Sequence, residues 1–298
     1  FQTWPQSGIE SQWPPRMDYP SGVCCYDPYA TESRDIYWQN LQRLHKMGID
    51  GWWMDSTEPD NMNMQPADLD TKVGDTRTAT FRRLRNAYPL ATVGGVHDHQ
   101  LAADSSKRVF IMTRSGLAGQ QRYASNVWSG DVGSSWESLR AQIPAGLNFT
   151  LTGNPNYNSD GGGFFAGAYN KGKRESRGAN NPLYRELYVR WIQYTMFCPV
   201  MRSHGTDVPR EFYLYGKAGE PVYDALVNTV KLRYRLLPYI YSTAWQVTAN
   251  DDSYMRPLAA EFSGDRRTWD MAHEFMFGRN ILAAPVAVSY THLTLPTI

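Results

Sequence analysis

Five short apolar runs along this chain each break off into a cluster of polar or charged residues. Residues 49–54 run into Asp55, Ser56, Thr57 and Glu58; residues 109–112 run into Thr113, Arg114 and Ser115. Residues 125–128 run into Ser129, Gly130 and Asp131. Residues 147–151 read as a fourth strand, ahead of Ser159, Asp160 and Gly161, and 198–201 as a fifth, ahead of Arg202, Ser203, His204 and Gly205. Helical spacing fills the gaps: 31–46, through Ile36, Leu41 and Leu44, then 136–142, 183–196 and 225–248. Strand-like and helical segments in alternation predict an α/β fold with parallel strands.

Polar groups placed just past strand ends are how a (β/α)8 barrel assembles its active site, although an open doubly wound sheet gathers ligands at the same ends. After Ala249 the helical period stops, and 281–288, an apolar run around Pro285, looks like the start of a β domain. The expected division is a barrel portion over 1–270, the first strands of a C-terminal β-sandwich over 271–288, and a tail over 289–298. Residues 1–28, rich in Pro, Gly and aromatic side chains, read as a loop able to overhang a pocket.

Composition narrows the partners. With 42% hydrophobic and 20% charged residues, the 298-residue chain can bury a large core. Thirty basic against 29 acidic residues leave a formal charge of +1, so no net field draws it to nucleic acid or an anionic membrane. No run approaches the roughly 18 apolar residues of a membrane span. The three cysteines, Cys24, Cys25 and Cys198, make an odd set that argues against a disulfide framework or a zinc site. His97, Asp98 and His99 have no further His or Cys to complete a metal shell, so neither metal nor cofactor is expected. Aromatic residues, 13% of the chain with 10 Trp and 19 Tyr, serve first as core and second as flat faces suited to sugar rings. Phe1 in place of Met suggests a chain that begins within a longer protein.

Asp55 alone reads equally well as a turn former. A second acid at an equivalent position, Asp131, changes the reading, because glycosidic cleavage uses two carboxyl groups, one attacking and one protonating the leaving oxygen. A retaining enzyme holds them about 5 to 5.5 Å apart and an inverting one about 6.5 to 9.5 Å. Sequence separation does not set that distance. Arg114 could equally be tied to a structural carboxylate, and His204 could be a satisfied core histidine.

The runs Trp53-Met54-Asp55 to Glu58, Thr113-Arg114-Ser115, Trp128-Ser129-Gly130-Asp131, Asp160 to Phe164, and Arg202 to Gly205 occur in the order in which glycoside hydrolase family 31 carries them. From about Phe1 to Val288 the chain resembles that family. The resemblance implies a retaining α-glycoside hydrolase without metal or cofactor, with Asp55 as nucleophile and Asp131 as general acid and then base. Burial of Asp131 is expected to hold its proton. The resemblance further implies that Arg114 keeps Asp55 charged, that Asp160 and His204 bind sugar hydroxyls, and that Glu58 orients the Asp55 loop. Trp128 is expected to touch sugar, with Trp52 and Trp53 around the pocket floor. Gly161 stands where the family usually has Ile, which predicts a looser turn.

Within the family, residues 51–60, 184–205 and 209–216 are most similar to bacterial α-xylosidases acting on xyloglucan oligosaccharides, with α-glucosidase as the alternative. A transglycosylase would share every residue named, whereas a non-catalytic carbohydrate-binding barrel would be expected to lack a carboxylate. Enzymes of this kind are often exported by bacteria. The resemblance also implies entry into the barrel after strand 3, with strands 4 to 8 present. Such a segment alone would expose sheet edges and be prone to aggregate. Residues 289–298 depart from the family and resemble translated adapter sequence.

Overall fold

A computed structural model describes residues 26–58 and 66–289, together with the backbone pairing of Thr3–Trp4 with Val23–Cys24. The rest of the loop expected over 1–28, Pro59 and Asp60, and positions 290–298 of the expected tail lie outside the described residues. The chain forms two compact units, Phe1–Val127 and Trp128–Ile298. Among the described residues no helix is long and apolar enough to cross a membrane.

In the first unit, helix α1 (Thr31–Lys46) leads into β1 (Gly51–Met54), α2 (Tyr88–Ala103) into β2 (Phe110–Thr113), and β3 (Ser125–Trp128) follows. The start of α1 is anchored by Asp75, which accepts from the Thr31 N–H and hydroxyl, both at 2.7 Å. Its last turn carries Arg43, His45 and Lys46, favourable against the negative end of the helix dipole. The strands are parallel, β2 pairing with β1 and β3, with Met54 opposite Thr113 and Thr113 opposite Val127. Their C-terminal ends are therefore level, so whatever follows each strand emerges on the same edge.

Burial alternates along β1, as the two-residue period of a strand requires. Trp52 and Met54 point into a core with Trp38 of α1, Val93 and Val96 of α2, and Ile111 of β2. The Trp52 indole donates to Gln100 Oε1 at 2.7 Å and meets Trp38 edge-on. Trp52 thus belongs to the helix-facing core, and the expectation that it lines a pocket floor beside Trp53 is corrected by the alternation itself.

The second unit contains α3 (Trp136–Leu151), β4 (Tyr157–Asn158), α4 (Pro182–Thr195), α5 (Pro221–Arg235) and α6 (Leu237–Asn250). It ends in three antiparallel strands, β5 (Met255–Pro257), β6 (Phe275–Phe277) and β7 (Ile281–Ala283), with β6 central. One continuous core runs from Leu139, Ile143 and Leu147 through Tyr184, Tyr188, Trp191 and Tyr194 to Phe275 and Phe277.

Three expectations fail here. Residues 147–151 are the end of α3, not a strand: Leu139, Ile143 and Leu147 are all buried, and their four-residue spacing is a helical stripe. Pro144 sits inside that helix, and Gly146 lets it lie flush on Tyr157, whose ring a Cβ there would meet at 2.8 Å. Residues 198–200 form bends and 201 has no regular structure, so no strand forms there. The carbonyls of Cys198 and Pro199, which a ladder would need, accept from the Arg233 guanidinium instead, as does that of Met196 before them. The single helix expected over 225–248 is two helices meeting at Leu236, because Pro238 can begin a helix but not continue one.

Candidate active site

In the first unit, the carboxylate Asp55 follows β1 directly and is exposed. Ser56, next in the chain, adopts φ 54°, a left-handed conformation uncommon for a residue with a side chain. Neighbouring groups hold this turn. Arg114, at the level tip of β2, donates from Nε to Glu58 Oε1 at 2.6 Å and from Nη2 to Ser56 Oγ at 2.8 Å, and its Nε lies 3.5 Å from Asp55 Oδ1. Thr57 and Thr113 exchange a buried hydroxyl hydrogen bond of 2.6 Å. The Arg114 guanidinium is thus fixed beside Asp55, and Glu58 shares that cation. Trp53, 54% exposed, lies on the same side of β1 as Asp55 by strand alternation.

In the second unit, Trp128 leads into Ser129, whose N–H donates to Asn158 O at 3.0 Å. Asp131, expected to be buried, is exposed. The buried carboxylate is Asp160, which has 0% exposure and follows β4 after Ser159. Arg202 donates to its Oδ1 from Nε at 2.9 Å and from Nη2 at 2.6 Å, and Oδ2 has no hydrogen-bond partner among the described residues. Burial pushes the Asp160 carboxyl up to about 6, against the opposing pull of Arg202; the charge of Asp131 adds to the rise and Arg210 opposes it. The Arg202 guanidinium lies 5.1 Å above the ring of Trp128, which is 1% exposed and so backs the arginine from below.

Gly161 corrects the expectation of a loose turn. It forms a parallel bridge with Ser203, its N–H donates to Arg202 O at 3.1 Å, and a Cβ would come within 2.6 Å of Ile192 and 2.7 Å of that same carbonyl. Glycine is what allows the two segments to approach, so the turn is packed rather than slack. The bridge sets Asp160, the residue before Gly161, and His204, the residue after Ser203, on neighbouring segments. His204 is half-buried, with its ring 5.5 Å from that of Phe164.

Each unit thus carries its own acid held by an arginine, Asp55 with Arg114 in the first and Asp160 with Arg202 in the second. Residues 2–243 match the profile described as the Glycosyl hydrolases family 31 TIM-barrel domain. The chain belongs to glycoside hydrolase family 31. Residues 251–297 match the family 31 C-terminal domain. Among curated relatives, an α-xylosidase of Saccharolobus solfataricus is 37% identical over 99% of this chain and 38% of its own length. "Alpha-glucosidase 2" of Bacillus thermoamyloliquefaciens is 30% identical over 94% of this chain and 33% of its own. Among solved structures, a family 31 α-xylosidase from Xanthomonas citri superposes with a TM-score of 0.79 at 38% identity, covering 88% of this chain and 28% of that one. The chain thus spans about a third of the length of the relatives it matches.

Two arginines that the structure brings to the fore, Arg202 and Arg210, were not singled out by the sequence. Arg202 was read only as part of a motif; the signal available was a cation two residues before His204, where Asp160 needed one. Arg210, buried between Val208 and Tyr184, carried no sequence signal beyond an arginine following proline.

Proposed function

We propose that this chain carries the nucleophile, the acid/base and part of the sugar subsite of a retaining α-glycoside hydrolase, with an α-xyloside as substrate. The observation that carries the proposal is the Asp55 turn: an exposed carboxylate at a level strand edge, with Arg114 at 3.5 Å and Ser56 in a left-handed conformation.

In this reading Asp55 attacks the anomeric carbon as the aglycone oxygen departs, taking the proton of Asp131. A β-linked glycosyl ester of Asp55 forms. Asp131, now ionised, removes a proton from water, and the water oxygen attacks the same carbon. The ester bond to Asp55 breaks and an α-configured sugar leaves. Asp160 and His204 hydrogen-bond sugar hydroxyls, the free Oδ2 of Asp160 accepting one of them. Trp53 and Trp128 shape the subsite, Trp128 through Arg202.

The α-xylosidase reading is supported by the 37% identity to an α-xylosidase over nearly the whole chain. An α-glucosidase is the second reading, supported by the 30% identity to one. The sugars differ by one exocyclic hydroxymethyl group, a difference worth about 1 to 3 kcal/mol. Turnover of aryl α-xyloside and aryl α-glucoside by the full-length polypeptide, with the first-released anomer followed by NMR, tests both. Preference for the xyloside with release of the α-anomer is expected. Preference for the glucoside would favour the second reading, and release of the β-anomer would overturn retention.

A further inference from the structure

Arg210 takes no part in the chemistry just described, yet it is buried in a region where charge is costly. Its Nη2 donates to Gly163 O at 2.7 Å and reaches Phe164 O at 3.4 Å, both in the turn that follows Asp160. Its Nη1 donates to Val208 O, in the loop that follows His204. Its guanidinium carbon lies 5.2 Å above the Tyr184 ring. Gly205, next to His204, leaves the space the guanidinium fills, since a Cβ there would collide with Nη2. The Arg210 carbonyl is also held, accepting from the Tyr188 hydroxyl at 2.7 Å, and that hydroxyl is bonded to Ser203 Oγ at 2.7 Å.

We infer that Arg210 is a positioning residue: its guanidinium clasps the turn after Asp160 to the loop after His204 and so sets the spacing of the two sugar-binding groups. The two segments are laced at their near ends by the Gly161–Ser203 bridge and further along by Thr206 N–H donating to Phe164 O at 2.8 Å. Arg210 closes the far side of that lace, bonding carbonyls of both segments. A planar fork of donors can span carbonyls on two segments at once, whereas a lysine ammonium is a single point. The inference rests on the proposed roles of Asp160 and His204.

The test uses the full-length polypeptide with Arg210→Lys and Arg210→Gln, measuring kcat and KM for an aryl α-xyloside from pH 4.5 to 8, with Asp160→Ala and His204→Ala as controls. Both Arg210 variants are expected to raise KM about tenfold while kcat changes less, as for loss of binding shared by ground and transition states. The charged groups acting on Asp160 are Arg202, Arg210 and Asp131. The acid limb of kcat/KM should therefore move up in Arg210→Gln, which loses the charge, and stay in place in Arg210→Lys, which keeps it. A lower melting temperature with KM and limb unchanged would show a merely structural arginine and overturn the inference. If Arg210→Gln does not fold, the KM of Arg210→Lys decides alone. Unchanged KM in both controls would instead refute the sugar-binding reading, whatever Arg210 does.

Discussion

The turns at Asp55 and Asp160 both put a carboxylate beyond a short strand and both meet an arginine, yet they treat the charge in opposite ways. The Asp55 side chain is 37% exposed and shares Arg114 with Glu58, the closer partner. Asp160 is fully enclosed, with two donors of Arg202 on one oxygen and, among the described residues, none on the other. In the proposed mechanism Asp55 has to be reachable as a nucleophile, and its partial exposure leaves it so. A recognition group gains from enclosure, because a buried acceptor with an open lone pair rewards a ligand hydroxyl and penalises its absence. Enclosure makes the second turn sensitive to its counter-ion and to pH.

The largest expected effect is at the exposed turn. Asp55→Ala should lower kcat by on the order of 10^4-fold or more, as loss of a catalytic nucleophile does. Circular dichroism should show an unchanged fold. Asp131→Ala should cost about 10^2- to 10^4-fold on substrates with poor leaving groups. With an activated aryl leaving group the glycosylation step should recover, because that oxygen needs no proton. Equal losses on both kinds of substrate would remove Asp131 from the acid role.

Stability should show the reverse ranking. Arg202→Leu leaves Asp160 enclosed without its ion partner and should cost about 3 to 5 kcal/mol in denaturant unfolding. Arg114→Ala removes a partly exposed contact and should cost under about 1 kcal/mol. Similar costs for both would erase the contrast. A smaller effect sharpens it. Burial raises Asp160 from 3.8 to about 6, so the folded state holds that proton more tightly than the unfolded chain. The resulting stabilisation is fully present below about pH 4 and is lost as pH rises through 6, about 3 kcal/mol at 1.36 kcal/mol per unit. Melting temperatures of Asp160→Asn and the unmodified protein should therefore diverge between pH 4 and 6, in favour of the variant as pH rises.

Three strands of the first unit were legible because each is short and runs into a residue type that a strand interior rejects, whereas the helix over 88–103 was not foreseen. The boundaries of α1 and β3 follow from Ile36, Leu41 and Leu44 and from the polar break after Trp128. In the second unit the same reasoning misread 147–151 and 198–201, since a brief apolar run has no period that separates strand from helix or bend. What decided those segments was tertiary: the stripe of Leu139, Ile143 and Leu147 on one side, and Arg233 taking the carbonyls on the other. The candidate residues were legible as motifs. Their burial was not: Asp160 rather than Asp131 is enclosed, and the charges that act on it, Arg202 and Arg210 among them, lie far away in sequence.

The identity of the nucleophile is the point on which the rest of this account depends. Incubating the full-length polypeptide with a fluorinated α-xylosyl fluoride, which forms the glycosyl ester but hydrolyses it slowly, and mapping the modified peptide by mass spectrometry tests it directly. A single fluoroxylosyl ester on Asp55 is the predicted result. A label on any other carboxylate, or rapid turnover-dependent inactivation with Asp55 unmodified, would contradict it.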